Sequence, residues 1–325
     1  MATKADIAKL AQVSPATVSN FFTHAKRVSP DVQKRIREAA EALHYPLPEI
    51  PAEETAPLQV VLVVDDLLNP HYGSILKGMS STEGINASVS MMLIWDDVEA
   101  FCRMLVRQKV FAVYFATYNH KISEQSIAYL QSHGVEVFFS WNNFIIDIDS
   151  LMLKTVQYLV DLGHTKIAYL SGLPLSDPMN ERYTAFINAL ETCRIPVRRD
   201  LILDGVYPYY TDAKSGYWVM KSYLNSGPVE ATAVIALNDP LATGAIRAIY
   251  ERGLKVPDDI SVIGCDDTVL AEYSNPPLTT MHLSADDIGS RTMYAILQRS
   301  RGEEIHPVTL QTSLIIRQST GKVRK

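Results

Sequence analysis

The sequence lacks any run of eighteen apolar residues, and its first residues lack the apolar segment of a secretory signal peptide. It contains only three cysteines, Cys102, Cys193 and Cys265, which lie far apart. An odd number at these spacings fits neither a disulfide framework nor a zinc motif, so we expect reduced thiols in the core. These absences predict a cytoplasmic protein that does not interact with membranes.

Motifs of common enzyme classes are also missing: the sequence has no nucleophile elbow, no P-loop and no zinc motif. Three aspartate pairs suggest a metal or acid–base site at first sight: Asp96-Asp97, Asp258-Asp259 and Asp286-Asp287. Each pair stands at the start of an element or in a turn, where helix capping explains it. We therefore predict a protein that is not an enzyme and that has no metal and no cofactor.

The distribution of charge sets the first residues apart from the rest. The 325-residue chain is long enough for two or three hydrophobic cores and has a net charge of −6, so any nucleic-acid contact must be local. Residues 1–45 hold seven lysines and arginines against four acidic residues, a net charge of +3. A small basic module on an acidic body suits DNA binding, because neutralised phosphates release counterions. The alternative is a three-helix packing domain with solvated charges.

Three short helical patterns occupy residues 1–45. Ser14-Pro15 and Ser29-Pro30 are typical helix starts, with serine as the N-cap. About three residues around Gln12 connect the first two helices, which is the length of a helix-turn-helix corner. The predicted inward faces are Ile7, Leu10 and Ala11, then Val18, Phe21 and Phe22, then Val32, Ile36, Ala39, Ala40 and Leu43.

These segments, DIAKLAQVSPATVSNFF and VSPDVQKRIREAAEALHY, resemble the DNA-binding head of the LacI family of bacterial transcriptional regulators. The resemblance implies that the second helix enters the major groove. It assigns base reading to Pro15, Ala16 and Asn20, and phosphate contacts to Thr17, Ser19, Thr23 and Arg27. Small residues would let the helix lie close to the bases while hydroxyls hold the flanking backbone.

Asn20 stands where many members of this family have arginine. An asparagine pairs with both N6 and N7 of adenine, whereas arginine suits guanine. We therefore expect an A·T-biased half-site at the base that faces Asn20. The alternative is that Asn20 only bonds a phosphate.

The linker, residues 46–58, reads PLPEIPAEETAPL and departs from the family pattern. Its four prolines block a long helix, and its three glutamates would face phosphate. Relatives form a hinge helix there that kinks the operator through the minor groove. Only Ala52 to Ala56 are free to form a turn, so we expect an atypical hinge or little operator bending.

From residue 59 onward, short apolar strands alternate with helices of ten to fifteen residues. This alternation predicts parallel sheets covered on both faces, and the number of strands predicts two such lobes. Polar residues follow the predicted strands where ligands of parallel sheets bind: Asp65-Asp66, Trp141-Asn142, Asn238-Asp239 and Asp266-Asp267. The fold class is thus a small all-α helix-turn-helix domain followed by α/β.

The segments ALNDPLATGAIRAIYERGLKVPDDISVIGCDD and NPPLTTMHLSADDIG extend the resemblance to the body of the family. The resemblance implies two Rossmann-like subdomains of the periplasmic-binding-protein type I, joined by three crossings, with the effector between them. It divides the body into an N-terminal lobe of about 58–145 and 283–309 and a C-terminal lobe of about 146–282 and 310–318.

The same resemblance indicates effector contacts: Tyr72, Trp141, Arg182, Tyr210 (or Tyr209), Asn238 and Asp266. The guanidinium of Arg182 suits hydroxyls or a carboxylate, and Asp266 suits hydroxyl donors. Plain alternatives are a surface arginine, capping residues and packing tyrosines. Trp141 replaces a charged residue, and His282-Leu283 follows Thr-Thr where many relatives have glutamine, so the cleft gains apolar surface.

The predicted function is a repressor that binds an inverted-repeat operator in double-stranded DNA as a homodimer. Its effector is expected to be a sugar or related metabolite, although a ligand with a hydrophobic face or a nucleoside also fits. One alternative is a cytoplasmic small-molecule-binding protein with weakened or lost operator binding, which the acidic linker favours. Another is a secreted solute-binding protein, against which the attached head argues.

Overall fold

The computed structural model describes residues 3–24, 28–43, 45, 56–116, 122–172, 175, 181–204 and 211–324. The predicted linker, residues 46–58, lies mostly outside the described residues. The chain divides into two compact units, Met1–Pro57 and Leu58–Lys325. None of the helices in the described part of the chain is long and apolar enough to cross a lipid bilayer.

The described part of the first unit contains three helices: α1 (Lys4–Leu10), α2 (Pro15–His24) and α3 (Pro30–Ala42). A capping box begins α1, where the Thr3 hydroxyl accepts a hydrogen bond from the amide of Asp6 and the Asp6 carboxylate accepts one from the amide of Thr3. Ser14 caps α2 as predicted, since its hydroxyl accepts a 3.0 Å hydrogen bond from the amide of Thr17. Gln12 turns the chain between these helices with a φ of 54°.

One detail of the predicted head is wrong. Leu10 is 53% exposed, because the buried stripe of α1 consists of Ile7, Ala11 and Ala8. Leu10 lies about 60° beyond Ile7 around the helix, on the side away from Ala8. Ser29 is the N-cap residue of α3, as predicted, although its side chain makes no capping hydrogen bond among the described residues. The remaining core is as expected: Val18, Phe21, Ile36, Ala39 and Ala40 are buried, with Phe22, Val32 and Leu43 packed against them.

The second unit alternates strands and helices, which confirms the predicted α/β fold. Its first part comprises β1 (Leu58–Val64), α4 (Pro70–Ser80), β2 (Ala87–Leu93), α5 (Val98–Arg107), β3 (Ala112–Phe115), α6 (Glu124–Ser132), β4 (Glu136–Phe139), α7 (Ser140–Asn143) and β5 (Phe144–Ile145). Strands β1 to β4 form a parallel sheet in the order β2-β1-β3-β4. We call this sheet and its helices the N-terminal lobe.

The next part comprises α8 (Ile148–Asp161), β6 (Ile167–Leu170), α9 (Glu181–Thr192), a 3-10 turn (Arg199–Leu201), β7 (Ile202–Leu203), α10 (Ala213–Asn225), β8 (Ala233–Ala236), α11 (Asp239–Glu251), β9 (Ser261–Cys265), α12 (Val269–Tyr273) and β10 (Thr279–Leu283). The chain ends with α13 (Ala285–Ser300), β11 (Val308–Thr309) and β12 (Thr312–Ile315). The second sheet has the order β12-β10-β9-β8-β6-β7, and among its described strands only the β10–β12 pair is antiparallel. We call this sheet and its helices the C-terminal lobe.

Both sheets are covered on their two faces, as continuous apolar strands require. On one face of β1, Val60, Leu62 and Val64 pack in a core that includes residues of α4 and α13. On its other face, Val61 and Val63 join the core under α5 and α6. This two-sided burial explains why the strand sequence is apolar at successive positions.

The chain passes between the lobes three times: after β5, after β10 and after β11. Strand β11 returns to pair with β5 before β12 joins the second sheet. Helix α13 follows β10 of the C-terminal lobe but packs on α4 of the N-terminal lobe, where Gly78 and Gly289 permit backbone contact between the two helices. These crossings place the carboxyl ends of the strands in both sheets around one cleft.

Candidate functional site

The exposed face of α2 is the first candidate site. Pro15, Ala16, Ser19 and Asn20 are exposed, whereas Val18 and Phe21 of the same helix are buried. Thr17 is half-buried, and its hydroxyl lies 2.7 Å from that of Ser14. Thr23 belongs to α2, but its side chain lies outside the described part, as does the whole of Arg27. The helix therefore presents a narrow surface of small and amide side chains.

The second candidate site is a cavity of about 190 Å³ between the lobes. It lies beyond the carboxyl ends of β1, β3, β4, β8, β9 and β10, where open parallel sheets bind ligands. Four predicted effector residues line it: Tyr72, Arg182, Asn238 and Asp266. Trp141 lies in α7, but its side chain lies outside the described residues, as do Tyr209 and Tyr210.

Arg182 and Asp266 form an ion pair inside this cavity. The Nη2 of Arg182 donates a 2.9 Å hydrogen bond to Oδ1 of Asp266, and its Nη1 donates a 2.5 Å bond to the carbonyl oxygen of Leu237. The two side chains are only 12% and 4% exposed. Asp266 has a φ of 103°, so the backbone turns sharply after β9 and directs the carboxylate toward α9. The pair presents a hydrogen-bond donor beside an acceptor to the cavity, and its two opposite charges nearly cancel.

Asn238 and Tyr72 line the cavity through side chains that already have partners. Asn238 caps α11, because its Oδ1 accepts a hydrogen bond from the amide of Leu241 and its Nδ2 donates to the carbonyl of Thr211, both at 2.9 Å. The Tyr72 hydroxyl donates a 2.8 Å bond to Asp65. Asn238 therefore caps a helix, which is the alternative expected for it. Tyr72 presents its ring to the cavity, because its hydroxyl is bonded to Asp65.

The sequence analysis missed His71, which lines the same cavity. Its Nδ1 is buried and has no hydrogen-bond partner among the described residues. Burial lowers the pKa of His71, while the charges of Asp266 and Arg182 act on it in opposite directions. The imidazole is therefore neutral at neutral pH. The sequence signal that could have identified His71 is its position beside Tyr72, in the first turn after Asn69-Pro70.

Asp239, which the sequence places after a strand but not among the effector contacts, is a buried ionisable group of this region. It is fully buried and accepts hydrogen bonds from the amide of Thr268 at 2.7 Å and from the hydroxyls of Thr268 and Thr280 at 3.0 and 2.6 Å. Burial, together with the negative charge of Asp266, raises the pKa of Asp239 to about 7. A large part of its population is therefore protonated at neutral pH.

The apolar part of the cavity comes from both lobes and from the crossings between them. Leu283 lines it as expected, but the neighbouring His282 has another role. The Nδ1 of His282 lies 2.9 Å from Oδ2 of Asp267, and Arg317 donates a 2.7 Å bond to Oδ1 of the same aspartate. The remaining apolar residues of the lining are Ile75, Phe115, Ala116, Phe144, Ile146, Ile148 and Ile288.

Two family models match this chain. Residues 3–46 match the model for bacterial regulatory proteins of the lacI family, and residues 156–320 match the periplasmic binding protein-like domain. The chain belongs to the LacI family of bacterial regulatory proteins. As a LacI-family protein, it is a DNA-binding transcriptional regulator with a small-molecule effector.

Individual LacI-family relatives match over almost the whole chain. The HTH-type transcriptional repressor PurR of Mannheimia succiniciproducens is 28% identical over 340 residues, covering 99% of this chain and 100% of the relative. The lac repressor dimer bound to operator and the anti-inducer ONPF has a TM-score of 0.68 at 26% identity, covering 98% and 99%. A LacI family regulator from Enterococcus faecium with bound ribose has a TM-score of 0.70 at 25% identity, covering 82% and 100%.

Proposed function

We propose that this regulator is a repressor that binds an inverted-repeat operator as a homodimer. Pro15, Ala16 and Asn20 read base edges in the major groove. Contacts from Thr17, Ser19, Thr23 and Arg27 to phosphates set the register. The exposed surface of small and amide residues on α2, carried by the segment 1–45 with its net charge of +3, is the observation that supports this assignment. Two heads are needed because one alone reads too few bases.

The effector in this proposal is a sugar or related metabolite bound in the interlobe cavity. Arg182 and Asp266 are its polar contacts, Tyr72 and Trp141 offer aromatic faces, Tyr210 contacts it from a neighbouring loop, and Asn238 positions the start of α11. Effector binding changes the affinity for DNA only if the lobes adopt two arrangements that bind the effector with different affinities. The protein works without catalysis and without a cofactor, and it acts in the cytoplasm, where bacterial DNA lies.

The test is selection of duplexes from a random pool by the purified full-length protein, followed by footprinting of the selected sequence. We expect a palindromic footprint. Ala16→Glu places a carboxylate on the exposed face of α2, next to phosphate, so it should abolish the footprint without lowering the melting temperature. Glu124→Ala, on the exposed start of α6, is the matched surface control and should leave the footprint intact.

A second reading, a metabolite receptor with weakened or lost operator binding, predicts a different result. In that case wild-type protein and Ala16→Glu would bind every duplex equally weakly. Ligand-induced thermal stabilisation would nevertheless remain in both, since binding to the folded state raises the melting temperature by mass action.

A further inference from the structure

The charges around the cavity leave no excess positive charge for an anion. Arg182 is the only cation among the described residues that line the cavity, and Asp266 matches its charge at 2.9 Å. Glu181 adds an exposed carboxylate to the rim. Asp239 lies behind Asp266 and contributes either no charge or a further negative one. A phosphate or carboxylate on the ligand would therefore be desolvated without a compensating cation.

Four other polar residues line the cavity, but Asn69 and Asn238 cap helices, and the hydroxyls of Tyr114 and Ser140 bond to each other; the rest of the lining is largely apolar. Ile75, Phe144, Ile146, Ile148, Leu283 and Ile288 contribute to it. A ligand rich in hydroxyl groups on every side would lose hydration against these side chains without replacement. The lining thus favours a compact ring with an apolar face and few polar groups.

Two polar features can orient such a ring. The Arg182–Asp266 pair presents a donor beside an acceptor, which complements a ligand edge that carries an acceptor beside a donor. His71 supplies the second feature, because its buried Nδ1 has no partner among the described residues although it borders the cavity. A buried polar atom without a partner is costly, and a ligand that bonds it removes that cost.

We propose that the effector is an uncharged ring compound with adjacent acceptor and donor groups, and that His71 is one of its direct contacts. This rests on the proposed function, because it specifies the ligand of the same cleft. Cyclic amides, nucleobases, nucleosides and those free sugars whose hydroxyls leave one ring face apolar satisfy the requirement. Their phosphorylated or carboxylated derivatives do not.

Matched ligand pairs test the charge requirement. Melting temperatures of the full-length protein are measured with uracil against orotate, uridine against uridine 5′-monophosphate, and ribose against ribose 5-phosphate. We expect at least one uncharged member to raise the melting temperature and its anionic partner to raise it less. The proposal is overturned if an anionic member stabilises the protein as much as its uncharged partner, or if no uncharged member stabilises it.

Substitutions at His71 test the second part with the uncharged compound that gives the largest shift. His71→Phe keeps an aromatic ring but removes the nitrogens, so binding should weaken about tenfold. The free protein should melt at a higher temperature, because a buried polar atom without a partner is gone. His71→Asn retains hydrogen-bonding atoms and should keep binding closer to wild type. The control His306→Phe, on an exposed residue, should leave binding unchanged.

A purely structural role for His71 gives the opposite pattern. His71→Phe would then lower the melting temperature of the free protein and leave the affinity unchanged, which overturns the assignment. Operator binding is measured on the same samples and separates the two levels of inference. If no uncharged compound stabilises the protein but the DNA footprint persists, only the proposed ligand class is rejected. If the protein shows no sequence-selective DNA binding, the repressor function is rejected.

Discussion

Arg182 and Asp266 are 84 residues apart in the chain, yet their side chains meet at 2.9 Å in the interlobe cavity. Arg182 belongs to the first turn of α9, and Asp266 follows the central strand β9. Both groups are largely removed from water, and together they supply the polar centre of a mostly apolar site.

Breaking this pair should be strongly destabilising. Arg182→Leu leaves the Asp266 carboxylate buried without its cation, and we expect the free energy of unfolding to fall by about 3 kcal/mol. The double variant Arg182→Leu/Asp266→Leu should lose less than the sum of the single changes, because no isolated charge remains. Urea denaturation of the four proteins gives the coupling energy.

A surface ion pair provides the control for that cycle. Arg103 and Glu99 are paired at 3.4 Å on α5, with side chains 51% and 79% exposed. Arg103→Leu should change the free energy of unfolding by no more than about 0.5 kcal/mol. If Arg103→Leu and Arg182→Leu lower the free energy of unfolding by the same amount, burial of the cavity pair does not increase the cost of breaking it.

The raised pKa of Asp239 predicts a pH dependence of stability. With a pKa of about 7 in the folded protein against 3.8 for the ordinary carboxyl, the folded state retains a proton that the unfolded state has lost. The contribution of Asp239 to stability must then decrease as the pH rises from about 4 to 7. Between about pH 5 and 7, we expect wild type to lose about 2 kcal/mol relative to Asp239→Asn.

The comparison with Asp239→Asn isolates this group. Other groups, such as His164, whose pKa is lowered by burial, titrate in both proteins and cancel in the difference. Asparagine can still accept the Thr268 amide and donate to the Thr280 hydroxyl. A stability difference that stays constant across this pH range would show that Asp239 is ionised throughout.

The close contact between α4 and α13 can be tested with three glycines. A Cβ at Gly78 would overlap the carbonyl of Asp286, and one at Gly289 would overlap the carbonyl of Ile75. We expect Gly78→Ala and Gly289→Ala each to cost about 1–3 kcal/mol by thermal or urea unfolding. Gly73 lies on the same helix α4, has no atom near its Cβ position, and is the control.

Gly73→Ala should instead stabilise the protein by about 0.5–1 kcal/mol, because alanine loses less entropy in a helix. Destabilisation by Gly73→Ala of the same size as by Gly78→Ala would attribute the effect to helix propensity and not to the contact between helices.

Asn20 should determine a base preference in the operator half-site. In sequences selected by wild-type protein, we expect adenine opposite Asn20, and Asn20→Arg should shift the preference to guanine. Asn20→Arg should change the binding free energy by about 1–3 kcal/mol for a base exchange at that position and by little for exchanges elsewhere. Guanine selected by the wild-type protein would contradict direct reading of adenine, and no preference at all would favour the phosphate alternative.

Local patterns in the sequence were sufficient for the architecture. Apolar runs such as residues 60–64 coincide with two-sided burial, and Ser14 and Asp97 cap helices as their side chains indicated. The positive φ angles of Gly134 and Gly163 fall just after α6 and α8, as expected for helix ends. Leu10 was misplaced because spacing alone does not tell which side of a short helix the core occupies.

Side-chain partnerships were beyond prediction because they join distant parts of the chain. The Arg182–Asp266 pair depends on how α9 meets β9, and the His282–Asp267–Arg317 cluster on how β9, β10 and the final segment meet. That Nδ1 of His71 has no hydrogen-bond partner among the described residues is even less visible in the sequence, which is why His71 was not identified. Of the four predicted cavity residues, Asn238 and Asp266 were also indicated by their positions after strands, whereas Tyr72 and Arg182 came from the resemblance to a family. Their roles remain predictions.

The most direct test of the central claim is the binding of the full-length protein to its selected duplex and to random competitor DNA over a range of salt concentrations. If α2 reads bases while cations of the head contact phosphates, affinity for both DNAs falls with salt, and the selected duplex stays preferred by at least about a thousandfold. Equal affinity for the selected and random duplexes at modest ionic strength would contradict the account.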